Sequence, residues 1–175
     1  MSLVPLGWLD VYELACSLRS RIGLFPKSGA VRTLQIRGPK GDADPEDDAA
    51  FVWTRGARDR WPELSNILAE TERLVPDIEW GRIVLELLMP NGIVPLASDI
   101  SDYALRYVRA HLPIRTNPLA LTICGGACLH LAQGAISLLA TKRAPLPPLP
   151  VGAMNLGEKF RVHLIADFRK KDPPE

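Results

Sequence analysis

One segment near the C-terminus, Asn155–Asp167, restricts the fold more strongly than any other part of the sequence. From Arg161 onward it alternates as a buried strand does, with apolar residues on one face and Arg161, His163 and Ile165 on the other. Successive side chains of a strand point to opposite faces of a sheet. Because buried cationic groups are rare without a partner, an arginine and a histidine on one strand face indicate a polar site.

A second segment, Tyr107–Ile114, repeats this arrangement. Arg109 and His111 again lie two residues apart and share a strand face. A guanidinium binds a carboxylate through charge-assisted hydrogen bonds, often as two parallel N–H···O contacts. Two strands that each offer Arg-x-His to one side therefore predict a cationic floor for an anionic ligand, most simply a small-molecule carboxylate.

The composition is that of one globular domain and argues against several classes of function. The chain has 175 residues, of which 47% are hydrophobic and 23% charged, and its formal net charge is +1. Such a balance gives no electrostatic attraction to nucleic acid or anionic membranes. No apolar run reaches the ~20 residues of a membrane span, and Met1–Leu9 lacks the cationic region of a signal peptide. We therefore expect a cytoplasmic protein.

The predicted elements divide the single domain, residues 1–169, into a helical N-terminal part (about 1–76) and a β-rich core (about 77–169). Apolar spacing predicts a helix within 8–21, and Trp61-Pro62 begins a second helix that ends near Leu74. The predicted strands are Val31–Arg37, Arg82–Met89, 104–114, 119–124, 127–132, 135–142 and 159–168, and a short apolar segment, Ile93–Leu96, follows the second of them. Many short strands separated by turns are typical of a β-sandwich or barrel, with the helices packed outside.

Three segments are predicted to be connections rather than sites. The acidic loop Gly38–Asp48 carries five carboxylates and two prolines, and a solvated loop is expected. The proline-rich segment Pro145–Pro150 lies between two predicted strands, which favours a stiff connection. The tail 170–175 is expected to be loose.

The cysteines are predicted to be free thiols. Cys16, Cys124 and Cys128 cannot all pair with one another, which fits a reducing compartment. A Gly-Gly dipeptide between Cys124 and Cys128 is typical of a two-residue hairpin turn. In that register Cys124 lies opposite Ala127, so the two cysteines are diagonal and on opposite faces, an arrangement that does not favour a zinc site.

The C-terminal half resembles the aspartyl/asparaginyl β-hydroxylase family, whose members are double-stranded β-helix (cupin-like) oxygenases that use iron(II) and 2-oxoglutarate. The likeness covers roughly residues 80–168 and rests on three blocks. These are Pro90-Asn91-Gly92 before Ile-x-Pro, Arg109-x-His111-Leu112-Pro113-Ile114-x-Thr116-Asn117-Pro118, and Asn155-x-Gly157-x-x-x-Arg161-x-His163-Leu164-Ile165-x-Asp167. The resemblance implies a double-stranded β-helix of about eight strands with flanking N-terminal helices.

The resemblance also implies how a carboxylate would be held. Arg161 matches the family arginine that grips the distal carboxylate of 2-oxoglutarate, and Arg109 with His111 matches the Arg-x-His at the other end of the cosubstrate. Strand alternation alone points to the same three side chains. The alternative is that the two arginines form internal salt bridges within the barrel.

The sequence departs from the family at the metal ligands. The first family histidine falls on Ala97, or on Ser98 if no gap is allowed, and the second falls on Val151. Of the three family ligand positions, only that of Asp99 has a side-chain atom that binds a metal. Iron centres of this kind use two histidines and a carboxylate, and other coordination positions of the metal stay open. We therefore expect neither iron nor another cofactor.

The histidines that are present offer a poor replacement for these ligands. The chain has three, His111, His130 and His163. His130 lies on a hairpin strand and is read as a core or edge residue. A site built from His111, His163 and Asp99 would lie beside two arginines, whose charge opposes a cation.

Three functions remain open, in order of preference. The first is a metal-independent, non-redox enzyme of specialised metabolism (a cyclase, isomerase or lyase), in which Arg109 and Arg161 hold a carboxylated substrate, His111 or His163 moves a proton and Asp99 is a partner base. The second is a carboxylate-binding or regulatory protein without turnover. The third is an iron(II)/2-oxoglutarate hydroxylase with atypical ligands. Fold alone does not separate them, because sites determine function.

Overall fold

The structure is a computed structural model that describes residues 3–41, 44, 47, 49, 51–139 and 149–171. Strands predominate in this part of the chain. The elements are β1 (Leu3–Trp8), α1 (Tyr12–Arg21), β2 (Val31–Pro39), β3 (Phe51–Trp53), α2 (Ala57–Arg60), α3 (Pro62–Leu74), β4 (Ile78–Leu88), β5 (Ile93–Ala97), α4 (Asp102–Arg106), β6 (Val108–Arg115), β7 (Ala120–Cys124), β8 (Ala127–His130), β9 (Ala135–Leu139), β10 (Val151–Asn155) and β11 (Arg161–Lys170).

Two antiparallel sheets form a double-stranded β-helix. The larger sheet has the order β1-β9-β6-β11-β4-β2-β3, and the smaller has the order β5-β10-β7-β8. The consecutive strands β4 to β11 build the barrel, with β4, β6, β9 and β11 in the larger sheet and the other four in the smaller. The predicted fold class is therefore confirmed. Strands β1, β2 and β3 extend the larger sheet at its two ends.

The main hydrophobic core lies outside the barrel, between the larger sheet and the helices. Leu14 and Leu18 of α1 and Leu64 and Ile67 of α3 belong to one buried cluster with one face of the sheet. The sheet contributes Ile83, Leu85, Leu87, Ala110, Leu112, Ile114, Val162, Leu164, Ala166 and Phe168. Each such leucine or isoleucine contributes about 1.5–3 kcal/mol by burial. Because this core occupies one face of the sheet, the opposite face is left for the polar groups of the barrel interior.

Both predicted N-terminal helices are present. α3 begins at Pro62 and ends at Leu74, as predicted, and it buries its apolar face against the sheet. The first helix begins only at Tyr12, because Leu3–Trp8 pairs with β9 as an edge strand that the sequence did not predict. None of the helices in the described residues is long and apolar enough to cross a membrane.

The predicted strand 104–114 is wrong in its first part. Residues Asp102–Arg106 form the short helix α4, and the strand begins at Val108. The hydroxyl of Ser101 explains the difference, because it accepts a hydrogen bond from the Ala104 amide at 3.1 Å and caps the helix. The strand therefore begins four residues later than predicted.

β10 and β3 were also not predicted. The sequence of β10, Val-Gly-Ala-Met-Asn, has little β-propensity. It is a strand because it pairs with β5 on one side and β7 on the other. Long-range pairing of this kind is not visible in local composition.

The predicted hairpin between β7 and β8 is confirmed. Cys124 pairs with Ala127, and Ile123 pairs with Cys128. Cys124 is buried, whereas Cys128 and Cys16 are exposed, and all three are free thiols. His130 is exposed at the end of β8, the edge strand of the smaller sheet. Residues 42, 43, 45, 46 and 48 of the acidic loop, residues 145–148 of the proline-rich segment and the tail from residue 172 onward lie outside the described residues.

The Asn-x-Gly motif of the C-terminal segment closes one end of the barrel. The buried side-chain amide of Asn155 donates to the carbonyl oxygens of Leu88 (3.1 Å) and Lys159 (2.9 Å). Its Oδ1 accepts from Nδ2 of Asn117 at 3.0 Å and from the Gly157 amide at 3.2 Å. A Cβ at Gly157 would collide with the Asn117 side chain. These motif residues therefore have a structural role.

Candidate functional site

A cavity of about 470 Å³ lies between the two sheets. The larger sheet lines it mainly with polar side chains, and the smaller sheet mainly with apolar ones. The polar residues from the larger sheet are Glu86, Arg109, His111, Arg161 and Asp167. The smaller sheet contributes Val94, Pro95, Ala97, Thr122, Val151, Gly152 and Ala153. The cavity is therefore amphipathic, with one polar wall and one apolar wall.

Strand alternation places the polar groups on the cavity wall. On β11, Arg161 and Asp167 line the cavity while Val162 and Leu164 are in the core behind the sheet. On β6, Arg109 and His111 line the cavity in the same way. Asp99 lies at the exposed rim. His163 shares the interior face and contacts His111, but it is not one of the described residues that line the cavity.

Arg161 forms an ion pair with Glu86 on the neighbouring strand β4. Its Nη2 donates to Oε1 of Glu86, and the side chains are 1% and 16% exposed. Nε and Nη1 of Arg161 are buried and have no hydrogen-bond partner among the described residues. Burial lowers the pKa of Arg161, and the Glu86 carboxylate opposes that effect. The guanidinium of this cavity-lining residue therefore has two buried donors that lack an acceptor within the described part of the chain.

Arg109 is bound by Asp167, its cross-strand partner on β11. Nε and Nη2 donate to the two carboxylate oxygens at 2.7 and 2.9 Å. Burial alone would lower the pKa of Arg109, but the hydrogen bonds and charge of Asp167 raise it above its ordinary value. The Tyr103 hydroxyl also donates to Asp167 at 3.2 Å and accepts from the Arg82 amide at 2.8 Å. Asp167 therefore accepts from two of the three guanidinium nitrogens of Arg109.

The two interior histidines lie next to each other and are uncharged. The rings of His111 and His163 meet edge to face, with centroids 6.0 Å apart. Burial lowers the pKa of His111 well below its ordinary value, and the charges of Arg109 and Arg161 lower it further. Burial likewise lowers the pKa of His163, with Arg161 next in importance. The four ring nitrogens have no hydrogen-bond partner within the described part of the chain.

The polar groups lie in sequence along β11. Arg161 with Glu86 is at one end, and Asp167 with Arg109 is at the other. His111 pairs with Ile165 between them. Six residues of extended strand separate the Cα atoms of Arg161 and Asp167, a distance of roughly 20 Å. The cavity therefore presents two charge-paired ends with neutral histidines between them.

An iron(II) centre of the kind that the resemblance implies does not fit the side chains at the corresponding positions. Ala97 and Val151 are Cα partners on β5 and β10, and both line the cavity, but neither side chain has an atom that binds a metal. Asp99 Oδ1 accepts from the amide of Ser101 at 3.2 Å and from its hydroxyl at 2.7 Å. Among the residues that the structure describes, no group of three or more His, Cys, Asp and Glu side chains could hold a metal ion.

Several cavity residues were not singled out from the sequence. Glu86 follows the same alternation on β4 as Arg161 does on β11, but only the order of the strands shows that the two meet. Tyr103 and Tyr107 stack with ring centroids 4.4 Å apart beside the cavity. Tyr107 lies in the segment 104–114 that was predicted to be a strand, and Tyr103 lies just before it. Gly81 makes room for both, because a Cβ there would collide with their side chains.

The fold is shared with known proteins, although no family model and no curated protein matches the sequence. A 2OG-Fe(II) oxygenase family oxidoreductase from Burkholderia pseudomallei is 8% identical, with a TM-score of 0.59 over 93% of this chain and 91% of the other. The non-heme alpha ketoglutarate dependent epimerase SnoN from nogalamycin biosynthesis is 13% identical, with a TM-score of 0.61 over 96% and 76%. The carbocyclase SnoK from the same biosynthesis is 8% identical, with a TM-score of 0.60 over 98% and 80%. The chain thus has the cupin-like double-stranded β-helix fold of structures from the 2OG-Fe(II) oxygenase family.

Proposed function

We propose that this protein binds a carboxylated small molecule in the barrel and acts on it as a metal-independent, non-redox enzyme of the cyclase, isomerase or lyase type. One observation carries the proposal: a buried arginine that lines the cavity has two donors without a partner among the described residues, and it lies near a buried histidine whose pKa is lowered. Descent from an aspartyl/asparaginyl β-hydroxylase that has lost its iron site is part of the same proposal, as is a cytoplasmic location.

Arg161 is the proposed anchor for the ligand. A buried donor without an acceptor costs free energy, and a charged donor costs more than a neutral one. A carboxylate oxygen that reached Nε or Nη1 of Arg161 would remove this cost and form a charge-assisted hydrogen bond. Glu86 compensates the charge of Arg161 through Nη2. Nε and Nη1 of Arg161 therefore remain for the ligand, in a site where the buried charge has a partner before the ligand binds.

His111 is the proposed proton-transfer group. It lies between the two arginines along the cavity and stays unprotonated near neutral pH, because burial and both guanidinium charges lower its pKa. A neutral imidazole can accept a proton on one nitrogen while it donates from the other. In this proposal His111 takes a proton from one atom of the bound molecule and returns it to another. The ring of His163, which meets His111 edge to face, holds the His111 ring in position. Asp99 is a second base at the rim.

Two further observations support a reaction other than hydroxylation. Ala97 and Val151, which match the metal-ligand positions of the resembled family, have hydrocarbon side chains and pair directly across β5 and β10. The fold itself accommodates varied chemistry, since SnoN is an epimerase and SnoK a carbocyclase, both alpha ketoglutarate dependent. We extend this range of reactions to a chain whose side chains at those two positions do not bind a metal.

A screen of carboxylated metabolites tests the proposal directly. The wild-type protein is assayed by mass spectrometry in buffer with a metal chelator, next to His111→Gln and the matched control His130→Gln, whose histidine is exposed on β8. We expect turnover of at least one acid by the wild type and the control but not by His111→Gln. Binding without turnover would instead support a carboxylate-binding or regulatory protein. Turnover only with added iron and 2-oxoglutarate would support a hydroxylase with atypical ligands.

A further inference from the structure

The two arginines of the cavity differ in what they offer to a ligand. Nε and Nη2 of Arg109 are already bound to both oxygens of Asp167, whose side chain is 2% exposed. Removing Arg109 from that pair would leave a buried carboxylate without its cation, which is strongly unfavourable. Arg161 keeps two buried donors without a partner among the described residues. Of the two guanidinium groups, that of Arg161 therefore gains more from a further acceptor.

The fixed charges of the cavity also favour a ligand with one carboxylate. The cavity is lined by two arginines and by the carboxylates of Glu86, Asp99 and Asp167. Each arginine already has a carboxylate partner, so a second carboxylate on the ligand would lie near like charges.

The wall between and opposite these charged ends is mainly apolar. Ile165 lies between Arg161 and Asp167 on the cavity face of β11. Val94, Pro95 and Val151 of the smaller sheet form an aliphatic wall opposite. Leu139 of β9 and Leu149 add to the apolar lining. The stacked pair of Tyr103 and Tyr107 bounds the far end. A ligand body that covers this wall gains by removing apolar surface from water.

We propose that the cavity takes a molecule with a single carboxylate and an extended apolar body, and that it discriminates against diacids. The carboxylate contacts Arg161, and the body extends along Ile165 toward the tyrosine pair. This inference rests on the proposed function, because it assumes that Arg161 anchors a carboxylate. It adds the class of acid and the direction in which the molecule lies.

A matched series of ligands tests this inference on the wild-type protein. Octanoate has one carboxylate and an apolar chain, octanamide lacks the charge, and suberate carries a second carboxylate at the far end of a chain of equal length. 2-Oxoglutarate is the short diacid. We expect calorimetry to show octanoate binding at least about tenfold more tightly than each of the other three.

The variant Ile165→Thr tests the direction of the ligand. It changes a half-buried side chain on the cavity wall and leaves both ion pairs in place. Octanoate should bind this variant several-fold more weakly than the wild type, whereas butyrate, which is too short to cover Ile165, should be unaffected. Equal octanoate affinity for the two proteins would contradict the proposed direction.

The ligand series separates failure of this inference from failure of the proposed function. If suberate or 2-oxoglutarate binds as tightly as octanoate, the preference for monoacids is wrong and a carboxylate-binding function stands. If octanamide binds as tightly as octanoate, the carboxylate anchor at Arg161 is wrong, and the proposed function fails with it. If none of the four binds, both proposals lose their support.

Discussion

Arg161 and Glu86 form an ion pair across β11 and β4 in which the arginine side chain is only 1% exposed. Breaking a buried pair by removing one partner costs about 3–5 kcal/mol, because a buried charge is left without compensation. Replacing both partners removes that uncompensated charge. The pair is therefore expected to behave as an energetic unit.

A double-mutant cycle checks this expectation. Arg161→Met should reduce the free energy of unfolding by about 3–5 kcal/mol, measured by urea denaturation. The double variant Arg161→Met/Glu86→Gln should be destabilised by clearly less than the sum of the two single variants. Additive single effects would show that the two side chains do not interact in the folded protein.

The interior histidines give stability a characteristic pH dependence. In the unfolded chain their pKa is about 6.5, whereas burial holds the pKa of both His111 and His163 well below that value in the folded protein. As the pH falls through about 6.5, the unfolded state takes up protons that the folded state does not. The free energy of unfolding should therefore decrease, by up to about 1.4 kcal/mol per pH unit for each histidine.

Variants assign this pH dependence to particular residues. Between about pH 6.5 and 5, His111→Gln should lose roughly half of the histidine-dependent slope. His130→Gln is the control variant, because it removes an exposed histidine and leaves both buried ones in place. Urea denaturation at several pH values measures this. Identical slopes for wild type and His111→Gln would contradict a buried, neutral His111.

Strand alternation locates the interior residues but not their partners. Arg109 and Arg161 could be assigned to one face of their strands because the period of two is fixed by backbone geometry. Their carboxylate partners, Asp167 and Glu86, depend on which strands are neighbours in the sheet, and that order is set by contacts distant in sequence. The alternative noted from the sequence, that the arginines form internal salt bridges, is present for both of them.

The segment before β6 is a second region whose structure could not be predicted from the sequence. The strand predicted from residue 104 onward overlaps a short helix whose cap, Ser101, is visible in the sequence. The positions of Tyr103 and Tyr107 depend on Gly81, which lies on β4. That dependence is a tertiary contact and leaves no local signal.

Gly81→Ala tests the contact between β4 and α4. The added Cβ would collide with the Tyr103 hydroxyl and would lie 2.6 Å from Cε1 of Tyr107. Such overpacking should reduce the free energy of unfolding by about 1–3 kcal/mol. Gly23→Ala is the control, since a Cβ there meets nothing within 4 Å, and it should change stability by less than about 0.5 kcal/mol. Equal stability of the two variants would show that α4 does not pack closely on β4.

Two substitutions should create a metal site where the present side chains provide none. Ala97 and Val151 are paired across β5 and β10, and Asp99 lies two residues beyond Ala97. In Ala97→His/Val151→His, two imidazoles and a carboxylate would meet at one cavity wall, as a divalent transition metal requires. We expect calorimetry with nickel(II) to show at least about tenfold tighter binding than to wild type. Unchanged affinity would show that these positions do not converge.

The most direct test of the account is an anaerobic titration of the wild-type protein with iron(II) and 2-oxoglutarate, followed by absorbance and by metal analysis after desalting. The account predicts no metal-to-ligand charge-transfer band and no stoichiometric iron, because Ala97 and Val151 provide no ligand atoms and the interior histidines lie among arginines. The double histidine variant is the comparison for metal retention. A charge-transfer band that saturates at stoichiometric iron in the wild-type protein would contradict the account and identify the protein as an iron-dependent oxygenase with atypical ligands.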